Sequence, residues 1–150
     1  MIILRKELTS SIDIDGSPEE IWSVLTDFDS FPNWNPFMRW IKGDLKEGAK
    51  LEVRIQPSGT RGTTFKPTVL KVDPFKELMW IGHLWISGLF DCEHILKIEF
   101  IGKNRARFDQ KEIFNGFFVR LLSKSLDKDT LRGFNEMNKA LKEKVEKNHD

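Results

Sequence analysis

Two long segments of alternating residues, separated by Gly102-Lys103-Asn104, constrain the fold of this chain more than any other feature. In the first segment, Cys92 to Phe100, most even-numbered positions are apolar and most odd-numbered positions are charged. The second segment, Ala106 to Phe114, repeats this arrangement. A period of two predicts strands with one buried face, and the glycine-containing turn predicts a hairpin. The even-numbered face of both strands is therefore predicted to be the interior.

The register of this hairpin follows from the same pattern. A slip by one residue would bury the arginines of the second strand, so even-numbered positions should face even-numbered positions. The simplest pairing sets Phe100 opposite Ala106. It also sets His94 opposite Glu112, with their Cβ atoms about 5 Å apart.

Three polar side chains thus fall on a mainly apolar inner face: His94, Gln110 and Glu112. Buried polar groups need partners, since an unpaired one costs about 1 to 3 kcal/mol. One interpretation is a self-satisfied polar cluster, or one at the open end of a cavity. The other is a functional site that orients the polar end of an apolar ligand. In a catalytic form of that site, Glu112 would act as a base together with His94.

An aromatic segment, residues 28–37, follows a well-defined helix start. Ser17 and Glu20 form a capping box around Pro18, which predicts a helix from Pro18 to Asp27. The segment itself places four aromatic rings between prolines and asparagines. It is too broken for a regular helix, and it is predicted to wall off an apolar space.

The rest of the chain reads as strands followed by a long helix. Pro67 cannot donate a backbone hydrogen bond, so a bulge or an unpaired position is expected there. The helix begins near Phe118, exceeds twenty residues and is bent near residues 127–133. Gly133 either allows close packing on the sheet or makes room for a ligand. The predicted strands cover residues 2–14, 38–42, 51–56, 63–72, 77–85, 91–100 and 105–114.

Composition narrows the class of protein. A length of 150 residues predicts one domain over residues 1–150. Lysine and arginine number 24 against 23 acidic residues, which disfavours binding to nucleic acid. One cysteine and the lack of a signal peptide or membrane-spanning stretch predict a cytoplasmic protein without stable membrane insertion. We expect a monomer or a weak homodimer.

The sequence offers no motif for a metal or a cofactor. His83 and His94 lack a third convergent ligand, and His149 lies in a tail, so we predict no metal site. There is no phosphate loop, dinucleotide fingerprint or nucleophile elbow, and we predict no cofactor. Cys92 has no neighbouring base in the sequence and is expected to be a core residue.

Several motifs give a family resemblance over nearly the whole chain: Ser-Pro-Glu-Glu-Ile-Trp from Ser17, and the segments 31–37, 88–91 and 129–138. With the order of elements, they resemble the SRPBCC superfamily, in its polyketide cyclase/dehydrase and lipid transport branch, also described as START-like or birch-pollen-allergen-like. The resemblance implies an α+β helix-grip fold, in which a curved seven-stranded antiparallel sheet surrounds a long C-terminal helix. Two short helices follow the first strand, and a cavity binds hydrophobic ligands. The implied lining is Trp34, Phe37, Trp40, His94, Leu96, Gln110, Glu112, Phe118, Leu122, Phe134 and Met137.

Three functions are compatible with this resemblance, because one fold supports many activities. The first is binding of a small hydrophobic molecule of lipid, polyketide or isoprenoid type. The second is a cyclase or dehydratase in which Glu112 and His94 move protons. The third is a co-chaperone-like protein that binds a partner, which would require an exposed apolar surface and a closed cavity.

Overall fold

The N-terminal strand and helix are built as the sequence predicts. The computed structural model describes residues 5–83 and 88–149, and the first strand, β1, covers Arg5–Ile14. In helix α1 (Pro18–Thr26), Ser17 Oγ accepts a hydrogen bond from the Glu20 backbone N–H at 3.2 Å. Glu20 Oε1 accepts one from the Ser17 N–H at 3.1 Å, which completes the capping box.

The aromatic segment forms short helical turns instead of one regular helix. A three-residue 3-10 turn, Phe28–Ser30, leads directly into the one-turn helix α2 (Phe31–Trp34). Two short helices therefore follow β1, as predicted. The strands that come next are β2 (Met38–Lys42), β3 (Glu52–Ile55), β4 (Thr63–Phe65), β5 (Thr68–Asp73), β6 (Glu77–His83), β7 (Asp91–Gly102) and β8 (Arg105–Asn115).

The described residues form eight strands in two antiparallel sheets, not the predicted seven. One sheet has the order β1-β8-β7-β6-β5 and the other β2-β3-β4. The additional strand arises because the predicted strand over residues 63–72 is divided at Pro67, which has no backbone N–H. The Pro67 carbonyl accepts a hydrogen bond from Leu51 N at 2.8 Å, outside the regular ladder. As a result β4 pairs with β3, and β5 pairs with β6.

The predicted register of the β7–β8 hairpin is confirmed. Phe100 lies opposite Ala106, and His94 lies opposite Glu112. The even-numbered face is buried along most of both strands, but Phe100 is 68% exposed, contrary to the prediction that it faces inward. The pairing shifts by one residue between Phe100 and Gly102, and such a bulge bends the strand end away from the core.

Strand β6 resolves an ambiguity that the sequence left open, because tryptophan occurs on both of its predicted faces. Trp80 and Gly82 are buried, whereas His83 is exposed, so the even-numbered face is the inner one. The predicted strand ran on to Trp85, but residues 84–87 lie outside the described residues.

The C-terminal helical region has the predicted irregularity. Helix α3 (Val119–Ser125) and helix α4 (Leu131–Lys147) are joined by a π-helical turn, Leu126–Thr130, which overlaps the bend expected at residues 127–133. Helix α4 packs its apolar face across the inner side of the larger sheet. None of the helices in the described part of the chain is long and apolar enough to span a membrane. The buried residues of α4 are Gly133, Phe134, Met137, Asn138, Leu141 and Val145.

Candidate functional site

A cavity of about 100 Å³ lies between the inner faces of the two sheets, beside the π-helical turn. Most of its wall is apolar, and the polar groups come from His94, Glu112 and Thr130. Partly exposed lining residues, among them Ile55, Phe65 and Thr130, mark its open side. The complete lining is Phe37, Val53, Ile55, Phe65, Pro67, Trp80, Gly82, Phe90, Cys92, His94, Glu112, Phe114 and Thr130.

His94 and Glu112 form a pair at the inner wall of this cavity. Nδ1 of His94 lies 2.9 Å from Oε2 of Glu112, and their side chains are only 4% and 13% exposed. The imidazole ring packs at a tilt against Trp80 and edge-to-face with Phe134, with ring centroids 5.6 and 5.3 Å away. These two aromatic contacts restrict the ring, and the opposing strand brings the carboxylate to it.

A chain of buried amides supports the other side of the His94 ring. Nε2 of His94 lies 3.1 Å from Oε1 of Gln110. The Gln110 amide donates to Asn138 Oδ1 at 2.7 Å and to the Phe134 carbonyl at 3.3 Å. Asn138 in turn donates to Ser10 Oγ at 3.0 Å. Gln110 and Asn138 are both fully or almost fully buried, so these bonds meet the need of buried amides for partners.

This amide chain fixes the tautomer of His94. The Phe134 backbone carbonyl can only accept, so the NH₂ end of Gln110 faces α4 and its oxygen faces His94. Nε2 of His94 must therefore carry a proton and donate it. At 2.9 Å, Nδ1 of His94 and Oε2 of Glu112 attract each other as an ion pair when the imidazole is protonated and the carboxylate is charged.

Cys92 lines the same cavity but is not set up as a nucleophile. Its side chain is buried and has no disulfide partner in the described residues. Burial, followed by the charges of Glu112 and Asp91, raises the pKa of the thiol far above its usual range. Because the thiolate is the reactive form, Cys92 contributes an apolar surface to the wall.

Asp91, at the start of β7, is held by two hydrogen bonds. Burial alone would raise the pKa of its carboxyl group. The His83 ring, with Nδ1 at 2.6 Å from Oδ1, and the Gly88 backbone N–H at 3.0 Å outweigh that effect, so the pKa is lowered. This arrangement anchors the chain where it enters β7, two residues before Glu93 and three before His94.

The structure distributes the sequence-predicted lining residues over several places. Phe37, His94 and Glu112 line the cavity. Gln110 and Phe134 are not lining residues, but both contact the His94 ring. The other predicted residues lie elsewhere: Leu96 and Met137 are in the buried core, Phe118 and Leu122 are partly buried against it, Trp34 packs on Phe31, and Trp40 stacks beneath the Lys42 ammonium group. Contact of any of these residues with a ligand remains a prediction.

Ten further residues line the cavity without having been selected from the sequence. Cys92 and Phe114 share the inner face of the hairpin with His94 and Glu112, so the alternating pattern already contained their signal. Val53 has the same inward signal in β3. Phe65, Pro67 and Thr130 carried no such signal, because tertiary packing alone brings them to the cavity.

No metal centre is seen in the part of the chain that the structure describes, where no three His, Cys, Asp or Glu side chains are grouped as ligands.

The fold and the cavity together define a class of protein. A curved antiparallel sheet that packs around a long C-terminal helix, with an apolar cavity between them, is a helix-grip fold. The chain belongs to the polyketide cyclase / dehydrase and lipid transport family, which it matches over residues 5–146. A search of curated proteins finds no significant match.

Several solved structures share this fold. The Zhui aromatase/cyclase from Streptomyces sp. R1128 superposes with a TM-score of 0.79 at 10% identity, covering 97% of this chain and 96% of that chain. A norcoclaurine synthase point mutant from Thalictrum flavum gives 0.74 at 14% identity, covering 100% and 99%. A START superfamily protein from Mycobacterium smegmatis gives 0.70 at 19% identity, covering 94% and 97%. At these identities, the likeness establishes the fold and leaves the activity to be argued from the site.

Proposed function

We propose that this protein binds a small hydrophobic molecule in the cavity beside the π-helical turn. The observation that carries the proposal is an open cavity whose wall is apolar except for Thr130 and the His94–Glu112 pair, His94 being supported by buried amides. Such a combination of apolar surface and a few fixed polar groups is typical of small-molecule sites. The similarity to a lipid transport and cyclase family supports it.

The volume limits what can be enclosed. A cavity of about 150 Å³ holds a benzene molecule, and this one measures about 100 Å³. The enclosed part of the ligand is therefore smaller than a whole benzene ring and has the size of a short chain or of one edge of a ring. The remainder of a longer lipid, polyketide or isoprenoid would lie at the open side, near Phe65 and Thr130. An open cavity also favours ligand binding over the partner-binding alternative.

Gly82 provides a sharp test of this proposal. It lines the cavity from β6, and an added Cβ would meet no atom closer than 3.7 Å, so a larger side chain can enter the cavity. We expect native mass spectrometry of gently purified protein to show a bound apolar molecule, which solvent extraction then identifies. The Gly82→Ile variant should be empty, and Gly102→Val, at the end of β7, should keep the ligand.

Two results would contradict this proposal. One is a wild-type protein that is empty and also fails to bind a panel of lipids and polyketides. The other is retention of the same molecule by Gly82→Ile, which would place the binding site elsewhere.

A second candidate function is a cyclase or dehydratase, favoured by the placement of the Glu112 carboxylate in the cavity wall beside a histidine. A proton carried by either member of this pair could be passed to or from a bound substrate. If the protein is such an enzyme, Glu112→Gln should abolish turnover while the ligand is still bound. Equal loss of binding and turnover would leave Glu112 with a binding role alone.

A further inference from the structure

The two oxygens of Glu112 have different surroundings. Oε2 is engaged by His94 at 2.9 Å. Oε1 receives no hydrogen bond from any residue that the structure describes, although Glu112 lines the cavity and is only 13% exposed. Oε1 is not fully buried, so a donor that enters the open cavity can reach it. Oε1 is therefore an acceptor in this wall to which a ligand can donate a hydrogen bond.

The protonation of the His94–Glu112 pair determines what Oε1 can do. With the proton on Nδ1, Glu112 is a carboxylate, and Oε1 accepts hydrogen bonds. With the proton on Oε2, Glu112 is a carboxylic acid whose Oε1 is the carbonyl oxygen, and this oxygen also only accepts. Because the amide chain behind His94 keeps Nε2 as a donor, both states leave Oε1 an acceptor. In both states the pair as a whole has no net charge.

The remaining wall excludes a charged ligand head. No lysine or arginine is among the lining residues that the structure describes, so a carboxylate or phosphate would lie beside Glu112 without a counter-ion. An ammonium group would bury its charge next to a pair that is already neutral. A neutral group that donates a hydrogen bond buries no charge, so it avoids both the repulsion of an anion and the cost of burying a cation.

From these observations we infer that the ligand presents a hydroxyl group, as an alcohol or a phenol, to Oε1 of Glu112. This inference rests on the proposed function, since it names the ligand class of the same cavity. The hydroxyl hydrogen is donated to Oε1, and the apolar body of the ligand lies against Trp80, Phe90 and Phe114. A free fatty acid or a phospholipid head is excluded from the enclosed part of the cavity.

Single-ring probes test this inference, because a ring can enter the cavity while part of it remains at the open side. Phenol, toluene and benzoate are titrated into the full chain and followed by two-dimensional ¹H–¹⁵N NMR. We expect phenol to bind at least roughly tenfold more tightly than benzoate, because phenol donates a hydrogen bond to Oε1 whereas benzoate would bury a charge without a counter-ion. In Glu112→Leu the ratio of phenol to toluene affinity should fall by roughly tenfold. In Glu112→Gln, whose amide oxygen still accepts, the ratio should stay within about threefold of wild type.

The controls separate this inference from the proposed function. Glu93→Gln removes a charge from the outer face of β7, the strand that pairs with the strand of Glu112, and should leave the phenol to toluene ratio unchanged. If toluene binds but benzoate rivals phenol, or if Glu112→Leu keeps the ratio, the hydroxyl inference is overturned while cavity binding stands. If none of the three probes binds to the wild-type chain, both the hydroxyl inference and the proposed ligand binding in this cavity are contradicted. If Glu112→Leu fails to fold, the hydroxyl inference is tested by the ratio of phenol to benzoate affinity, measured in wild type and in Glu112→Gln.

Discussion

The ring of Phe37 lies so close to Gly133 that a β-carbon at position 133 would come within 2.2 Å of Cδ1 of Phe37. Phe37 lines the cavity and packs edge-on against Phe134, with ring centroids 5.6 Å apart. The sequence left two roles open for this glycine, close packing or room for a ligand. In the structure the space beside Gly133 is occupied by Phe37, which in turn forms part of the cavity wall.

Gly133→Ala should therefore destabilise the protein although alanine is the better helix former by about 1 kcal/mol. We expect the free energy of unfolding to fall by about 1 to 3 kcal/mol, because the new methyl group overpacks a rigid contact. Urea denaturation measures the change. In a Phe37→Leu background the penalty should shrink, since the two sites are in contact. A Gly133→Ala variant as stable as wild type would show that Phe37 moves aside freely.

Gln110→Met tests the amide chain behind His94. The substitution removes the acceptor for Nε2 of His94 and the donor to the Asn138 and Phe134 oxygens. Each buried polar group left without a partner lowers the free energy of unfolding by about 1 to 3 kcal/mol. We expect a loss of stability and a change in the ¹⁵N resonances of the His94 ring. In wild type those resonances should show a protonated Nε2, with exposed His83 as the internal reference. Finding Nε2 unprotonated in wild type would contradict the orientation assigned to Gln110.

Cys92 should be unreactive in the folded protein. Burial and the neighbouring charges of Glu112 and Asp91 raise the pKa of its thiol, so little thiolate forms at pH 8. We expect a thiol-specific disulfide reagent to label the native chain more than roughly a hundredfold more slowly than the chain in denaturant. Comparable rates in the two states would mean that the cavity admits the reagent and stabilises the thiolate.

Asp91 should make the protein sensitive to acid. The pKa of Asp91 in the folded chain lies below its ordinary value of 3.8, because His83 and Gly88 outweigh the effect of burial. Its stabilising contribution is thus fully present above the unfolded-state pKa and is lost as the pH falls through the folded-state pKa. Asp91→Asn should be less stable than wild type near pH 6 and converge with it toward pH 2.

Unfolding free energies measured between pH 2 and pH 7 check this expectation. Asp44→Asn, in an exposed loop, controls for the loss of one negative charge. A constant difference between wild type and Asp91→Asn over this range would assign the effect of the substitution to packing instead of ionisation.

Several features of the fold could be predicted from the sequence because they depend on residues that are close together in the chain. The alternation on both sides of Gly102-Lys103-Asn104 gave the hairpin register, since a slip of one residue would have buried arginines. The Ser17–Glu20 capping box likewise depends on residues three apart in the chain. The division of the fourth predicted strand was less accessible. Pro67 signalled an irregularity there, but only the pairing of its flanks with different sheets made it a strand boundary.

The candidate site shows where the local information ends. The sequence by itself determined that His94, Gln110 and Glu112 share one inner face and that His94 is opposite Glu112, because side chains alternate strictly along a strand. Tertiary structure decided that Gln110 turns to α4 while Glu112 lines the cavity, and that Phe65 and Thr130 stand at its open side. Those choices depend on which distant surfaces pack together. They follow from the crossing of the helix and the two sheets, which no local period encodes.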